Sequence, residues 1–300
     1  MPYLNVRGVK HYYEWIRKYS RETAKPKIIF IHGWAGSARY WKTTAQTLSE
    51  KFDCLLYDLR GFGRSVEKVN EVDKIAVNSV NCSSVGLDNS KISAAVGYEM
   101  EDYASDLAFI LDSLEIERSH IIAHSMGASV ATLFLNCYPE RVDKAILTCS
   151  GVFEYDEKAF SAFHRFGSYV VKFRPKWLGK IPFVDKIFMA RFLSSPIPVD
   201  ERKAFLQDFL QADYDAALGT IFTSVSKAQA ELMPAEFAKL RIPTLLISGE
   251  YDQIIPAKLG YQAAALNSNV LQIATIKNTG HFPMLEDPSN YLKLVQKFLN

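Results

Sequence analysis

A serine, an aspartate and a histidine stand in this order along the 300-residue chain, each just after a segment that is typical of a buried strand. Ser125 lies in Ala-His-Ser-Met-Gly, Asp252 in Gly-Glu-Tyr-Asp and His281 in Gly-His-Phe-Pro. The carboxyl ends of parallel strands meet at one edge of a sheet, where side chains distant in the chain converge. An imidazole can take the proton of a serine hydroxyl and later return it to a leaving group. These residue types at one edge therefore make Ser125 a candidate nucleophile, His281 a candidate base and Asp252 a candidate acid to orient the base.

Each of these residues also has a plainer interpretation. Ser125 alone could be the N-cap of an ordinary helix, and Asp252 could be a turn residue that binds nearby amides. The other histidines of the chain are His11, His32, His120, His124 and His164. None of them combines a loop position after a strand with this chain order. A nucleophile on a sharp strand-to-helix turn needs small flanking residues, which Ala123 and Gly127 provide. The combined pattern favours the catalytic interpretation.

These ordered motifs resemble the α/β-hydrolase superfamily, whose nucleophile motif is G-x-S-x-G and carries Ala123 at its first position here. The segment His32-Gly33-Trp34 resembles the oxyanion segment H-G-x of that family, although alone it could be a strand terminus. The resemblance implies a triad of Ser125, Asp252 and His281, an oxyanion hole made by the main-chain N–H groups of Trp34 and Met126, and no cofactor or metal. It extends over most of residues 24–150 and 240–300.

Residues 58–65, with the pattern D-x-R-G-x-G-x-S, also resemble a segment of the family, in which this pattern is a structural turn. A glycine-rich phosphate cradle is the alternative. The segment has no Walker lysine and lacks the G-x-G-x-x-G spacing, so we interpret it as scaffold.

Alternating strand and helix patterns surround the motifs. An opening hairpin (3–6 and 12–16) precedes apolar strand patterns at 27–31, 54–57, 120–123, 145–148, 244–248 and 270–276. Helical patterns fall at 37–51, 100–114 and 126–138, and a final one begins at residue 288. We therefore predict an α/β-hydrolase fold, a doubly wound, mostly parallel eight-stranded sheet with a helical cap inserted after strand 6. The predicted core is 1–150 and 236–300, the cap is 151–235, and 66–97 is a long irregular loop, for which disorder ranks ahead of function.

The predicted cap is rich in aromatic residues and locally basic. Its aromatic residues include Phe153, Phe160, Phe163, Phe166, Tyr169, Phe173, Trp177, Phe183, Phe188, Phe192, Phe205 and Phe209. They suit an apolar pocket, although we expect most of them to fill a small core of the cap itself. Residues 165–191 contain several basic residues and a single acidic residue, Asp185. Weak contact with a membrane surface is one interpretation, and a solvated basic face is the plainer one.

Composition narrows the class of protein. A formal charge of +2 and a pI near 8.2 are too mild for nucleic acid as the main partner. No secretory apolar region opens the chain, and no apolar run reaches the length of a membrane span. Cys54, Cys82, Cys137 and Cys149 show no C-x-x-C spacing, and we expect all four to be reduced. A cytoplasmic location is the resulting expectation.

The leading functional hypothesis is hydrolysis of a carboxylic ester of a lipophilic small molecule through an acyl-enzyme. A serine at the turn argues against haloalkane dehalogenases and epoxide hydrolases, relatives that place a carboxylate there. A carbon-carbon bond hydrolase with the same triad and a catalytically weak small-molecule receptor are the alternatives.

Overall fold

The computed structural model describes residues 2–18, 25–66 and 97–300, whose strands form one eight-stranded sheet. The strands are β1 (Tyr3–Val6), β2 (Val9–Ile16), β3 (Lys27–Ile31), β4 (Asp53–Tyr57), β5 (Ser119–His124), β6 (Val142–Thr148), β7 (Thr244–Gly249) and β8 (Leu271–Ile276). Their order in the sheet is β1-β2-β4-β3-β5-β6-β7-β8. The pairings β1–β2 and β2–β4 are antiparallel, and the others are parallel. The predicted fold class is confirmed.

Helices follow most of the parallel strands. They are α1 (Lys42–Leu48), α2 (Met100–Ser113), α3 (Met126–Cys137), α4 (Glu157–Lys172), α5 (Val184–Met189), α6 (Val199–Gln211), α7 (Tyr214–Ser224), α8 (Lys227–Lys239), α9 (Ala257–Ala265), α10 (Pro283–Glu286) and α11 (Pro288–Leu299). Helix α1 is preceded by a 3-10 turn over Ala38–Trp41. Parallel strands need such crossover connections, and helices there cover both faces of the sheet.

Alternate residues of the central strands pack into two different cores. Ile29 and Ile31 of β3 lie in a cluster with α2 and α3, whereas Ile28 and Phe30 lie in a second cluster with α1 and α11. Successive side chains of a strand point to opposite faces, so an apolar residue at every position means that both faces are covered. This burial explains why the central strands are uninterrupted apolar runs in the sequence.

Two strands begin three residues before their predicted limits. β2 begins at Val9 because Arg7 and Gly8 form the hairpin turn, with positive φ angles of 49° and 81°. β6 begins at Val142, which pairs with Ser119 of β5, and it includes Asp143 and Lys144. The ladder of main-chain hydrogen bonds does not require apolar side chains, so the polar start of β6 gave no signal in the sequence.

Helices α4 to α8 lie in the insertion between β6 and β7, as predicted for a cap after strand 6. The predicted boundary at residue 235 falls inside α8, a helix that contacts α3 and α9 of the sheet layers. The domain limits stay a prediction. Almost all of the predicted loop 66–97 lies outside the described residues.

The structure bears on two expectations, the oxidation state of the cysteines and the absence of a membrane-spanning apolar segment. Cys54 and Cys149 are buried and free, but Cys137 is disulfide-bonded, so the prediction of four reduced cysteines is wrong. The cysteines therefore no longer support a cytoplasmic location. None of the helices in the described part of the chain combines the length and apolar composition that crossing a bilayer requires.

Candidate active site

Ser125 occupies a sharp turn between β5 and α3. Its φ and ψ angles are 52° and −123°, a conformation that is strained for a residue with a Cβ atom. Gly127 allows this turn because a Cβ there would lie 2.3 Å from the carbonyl oxygen of His32. Gly33 packs against the turn from the other side, where an added Cβ would lie 3.1 Å from Cβ of Ser125. The small residues thus let three chain segments meet at the serine.

His281 bridges Ser125 and Asp252, which follow different strands. Its Nε2 lies 3.0 Å from Oγ of Ser125, and its Nδ1 lies 2.8 Å from Oδ2 of Asp252. A carboxylate only accepts hydrogen bonds, so Nδ1–H donates and the neutral Nε2 accepts from the serine hydroxyl. His281 and Asp252 are buried, and Ser125 is half-buried. The structure therefore brings the three predicted residues into one hydrogen-bonded series.

The carboxylate of Asp252 is held in its ionised form. Burial alone would raise its pKa, but the neighbouring His281 and the hydrogen bonds to the carboxylate lower the pKa below its ordinary value. The second oxygen, Oδ1, accepts the main-chain N–H groups of Ile254 and Ile255 at 2.8 and 3.0 Å. The carboxylate is thus fixed in orientation and keeps the charge that would stabilise a protonated imidazole.

The two predicted oxyanion donors lie beside the serine. Met126 is the first residue of α3, so its main-chain N–H is one of the groups that the helix itself leaves unpaired. Trp34 follows Gly33 in the loop after β3, and Gly33 packs against Ser125. The indole N–H of Trp34 donates to the carbonyl of Ala217 at 3.1 Å. The insertion therefore anchors the side chain of Trp34, because Ala217 belongs to α7.

A buried tyrosine and histidine tie the segments around the serine together. Nε2–H of His124 donates to the carbonyl of His281 at 2.8 Å, so its Nδ1 accepts the hydroxyl of Tyr40 at 3.0 Å. The same Tyr40 oxygen accepts the main-chain N–H of Gly33. Burial keeps the pKa of His124 well below its ordinary value, an effect reinforced by the nearby His281. Nothing in the sequence indicated this role, because Tyr40 lies in no motif.

Glu286 fixes the loop that carries His281. Its carboxylate accepts the main-chain N–H groups of Gly280 and Phe282, on either side of the histidine, at 2.9 and 3.1 Å. It also accepts those of Ser194 and Ser195, both at 2.7 Å, which belong to the insertion. Four amides thus converge on one carboxylate, and nothing in the sequence around Glu286 indicated this.

The insertion also binds the main chain of His281 directly. Its N–H donates to the carbonyl of Phe192 at 2.7 Å, and a Cβ on Gly280 would lie 2.6 Å from the same oxygen. Because the insertion lies against the loop on which the histidine sits, the insertion takes part in placing it.

A continuous row of aromatic rings runs from Trp34 to His281. Trp34 contacts Phe209 at 5.9 Å between ring centroids, Phe209 stacks on Phe188 at 4.9 Å, and Phe188 contacts Phe192 at 6.0 Å. Phe192 in turn lies 6.2 Å from the ring of His281. Three of these rings come from the insertion. They give the site an apolar wall beside the serine.

Residues 58–65 form a structural turn, as interpreted from the sequence. Asp58 accepts the N–H groups of Ala38 and Arg64, each at 2.8 Å, and its main-chain carbonyl accepts the hydroxyl of Ser65 at 2.8 Å. His32 reaches this turn as well, because its Nε2 accepts the N–H of Leu59 at 2.8 Å. His32 therefore joins the loop after β3 to the turn after β4.

One group of potential metal ligands coincides with the site. The donor atoms of His124, Cys149 and His281 lie within 4.8 Å of one another. All four imidazole nitrogens of the two histidines already have the hydrogen-bond partners described above. These side chains are therefore arranged as a hydrogen-bonded network around the base.

Comparisons with known proteins agree with this fold. The chain belongs to the α/β hydrolase fold family, whose model matches residues 26–288. The uncharacterized hydrolase YugF of Bacillus subtilis is 24% identical over 295 residues, which cover 98% of this chain and 96% of YugF. An esterase from Exiguobacterium antarcticum superposes with a TM-score of 0.75 at 18% identity, covering 99% of each chain. The enol-lactonase from Burkholderia xenovorans superposes with a TM-score of 0.74 at 17% identity, again covering 99% of each chain.

Proposed function

We propose that this protein is a serine hydrolase that cleaves a carboxylic ester of a lipophilic small molecule through an acyl-enzyme. The observation that carries the proposal is the hydrogen-bonded series from Ser125 through His281 to Asp252 on a strained turn. Two of the structural neighbours are named an esterase and an enol-lactonase, which supports the same reaction class.

Acylation would begin when Oγ of Ser125 attacks the ester carbonyl carbon while Nε2 of His281 takes the hydroxyl proton. The carbonyl π electrons move to its oxygen, which then accepts the N–H groups of Trp34 and Met126. Each such donor is worth about 3 to 4 kcal/mol in other hydrolases. Collapse of this intermediate expels the alcohol, which takes its proton from His281.

Deacylation reverses the roles. His281 removes a proton from water, the hydroxide attacks the acyl carbon, and the acid leaves as the proton returns to Oγ of Ser125. Asp252 keeps Nδ1 protonated throughout and stabilises the imidazolium charge.

The row of aromatic rings supports a lipophilic substrate. Trp34, Phe188 and Phe192 are half-buried around the buried Phe209, and burial of an alkyl or aryl group against them would contribute about 25 cal/mol per Å². We expect esters with longer acyl chains to react with higher kcat/KM than the acetate.

The test is a series of p-nitrophenyl esters of increasing acyl length. We expect turnover by the wild type and a loss of about 10⁴-fold or more in kcat for Ser125→Ala. Ser129→Ala is the matched control, because Ser129 lies one turn further along α3, and it should retain wild-type turnover. Stabilisation of the wild type by esters without any turnover would support the receptor alternative and contradict the proposal.

A further inference from the structure

Part of the insertion exposes an unusual amount of large apolar surface. Eight large apolar side chains between residues 163 and 187 are 41% to 75% exposed. They are Phe163, Phe166, Tyr169, Phe173, Trp177, Ile181, Phe183 and Ile187. Six of them are aromatic residues that we expected mostly to fill a core of the cap, and that expectation is wrong. So many exposed large apolar side chains within one segment are typical of interaction surfaces.

The exposed side chains on α4 follow the helix in one stripe. Phe163, Phe166 and Tyr169 lie on it at spacings of three residues, which keep them near one helical face, and Phe173 follows at the C-cap. The side of α4 that packs on the protein is different, because Gly167 and Val171 are its buried residues and Gly167 lies against Ile221 of α7. The stripe is therefore free of the protein's own core.

Basic residues are interleaved with these apolar side chains. They are Arg165, Lys172, Lys176, Lys180, Lys186 and Arg191. Arg174 lies in the same stretch, but its guanidinium donates to the main-chain carbonyls of Val171 and Phe209. The acid of this stretch, Asp185, is buried and pairs with Arg202 at 2.9 Å, so it contributes little negative charge outside. The whole chain carries only +2, and the rest of it is therefore net negative. Positive charge is concentrated on this one part of the molecule.

We propose that this aromatic-basic surface, made of the eight apolar side chains and the six basic residues Arg165, Lys172, Lys176, Lys180, Lys186 and Arg191, docks the protein onto an anionic lipid bilayer. Aromatic rings bind at the boundary between headgroups and acyl chains, and lysine and arginine bind the anionic headgroups. A second copy of the chain fits the surface poorly, because pairing would bring the two sets of basic residues together. The net negative remainder of the chain would be repelled by the same bilayer, which fixes the orientation.

Docking in this way would place the site beside the lipid. Ile187 of α5 is 74% exposed, and its neighbour Phe188 stacks on Phe209 in the row of rings that ends at His281. A substrate dissolved in the bilayer would therefore meet the apolar wall of the site first. This consequence rests on the proposed function, whereas docking itself does not.

The test is co-sedimentation of the full chain with vesicles of phosphatidylcholine alone or mixed with phosphatidylglycerol. We expect binding to the mixed vesicles at low salt, release as salt is raised, and little binding to phosphatidylcholine. The variants Phe166→Ser/Phe173→Ser and Lys172→Glu/Lys176→Glu should each lower the partition coefficient by about tenfold.

Matched controls lie outside the surface. Leu266→Ser removes another exposed apolar side chain, and Lys293→Glu/Lys297→Glu reverses two charges on α11; both should bind as the wild type does. Ser125→Ala should also bind normally, which separates docking from hydrolysis. Circular dichroism and thermal unfolding establish that each variant is folded.

Three results would overturn the proposal. They are no binding of the wild type to the mixed vesicles at low salt, equal loss of binding in the control variants, and a wild-type dimer that Phe166→Ser/Phe173→Ser dissociates without any vesicle binding. Size-exclusion chromatography detects the last of these.

Discussion

Two buried histidine–aspartate pairs can be compared in this molecule. In the first, Nδ1 of His281 lies 2.8 Å from Asp252, whose other oxygen accepts two main-chain amides. In the second, Nε2 of His11 lies 3.7 Å from Asp106, whose Oδ2 also lies 3.1 Å from Nε of Arg60. All the carboxylates and imidazoles in both pairs are buried.

The pairs differ in how their polar atoms are satisfied. Among the described residues, Nε2 of His11, both carboxylate oxygens of Asp106 and all three guanidinium nitrogens of Arg60 lack an aligned hydrogen-bond partner. Burial raises the pKa of Asp106, although Arg60 opposes the shift. The His281 pair has directed hydrogen bonds and a half-exposed serine next to it. Proximity of histidine and aspartate therefore does not define a reactive site; orientation and access do.

The largest expected effect distinguishes the two aspartates by activity. Asp252→Asn should lower kcat by about 10⁴-fold, because the amide no longer selects the Nδ1–H tautomer or stabilises the imidazolium. Asp106→Asn, assayed well below its unfolding temperature, should keep wild-type kcat. Steady-state ester hydrolysis measures both. Similar losses in the two variants would remove the distinction between the pairs.

Stability, unlike activity, should depend on the pair formed by His11 and Asp106. Arg60→Met leaves the buried Asp106 carboxylate without its nearest cation, so we expect the free energy of unfolding to fall by about 3 to 5 kcal/mol. The double variant Arg60→Met/Asp106→Leu should recover most of that loss, because no uncompensated charge stays buried. Urea unfolding of the single and double variants measures this. A double variant as unstable as the single one would contradict an uncompensated charge as the cause.

The orientation of His281 should depend on Glu286. Glu286→Gln replaces one acceptor oxygen by a donor amide, so the four N–H groups can no longer all be satisfied. We expect a fall of about 10- to 100-fold in kcat with little change in KM, because a small displacement of a base is enough for such a loss.

Glu250→Gln is the matched control for Glu286. Glu250 accepts a single main-chain N–H, from Asn278, in the same region of the chain. Its variant should be close to wild type in kcat. A rise in KM without a change in kcat for Glu286→Gln would indicate a role in substrate binding instead of positioning.

The smallest expected effect concerns pH. Burial lowers the pKa of both His11 and His124 from 6.5; Asp106 opposes the effect at His11, whereas His281 reinforces it at His124. Below pH 6.5 these two histidines bind protons in the unfolded chain but not in the folded state. The free energy of unfolding therefore decreases as pH falls.

Replacing either histidine should therefore reduce the slope with which the free energy of unfolding decreases below pH 6.5. The limit is about 1.4 kcal/mol per pH unit for one proton. We expect the larger flattening for His124→Asn and the smaller for His11→Asn. Urea unfolding between pH 5 and 8 gives the slopes. A steeper slope in either variant would contradict the assigned sign.

The sequence by itself determined the sheet, its helices and the three residues that meet at its edge. Strands buried on both faces must be apolar at every position, so β3, β5 and β7 stand out as short apolar runs. A residue directly after such a strand lies at the carboxyl edge whatever the loops do. The place of Ser125 follows from this local information, and so does the edge at which Asp252 and His281 lie. The position of His281 within its loop also depends on Glu286 and on Phe192 of the insertion.

Only the tertiary structure decided what surrounds those residues. Tyr40, His124 and Glu286 act through contacts between segments far apart in the chain, and no local spacing encodes such contacts. The same reason explains the insertion, where helical periodicity indicates which aromatic side chains share a face. Whether that face is covered depends on which other element packs against it.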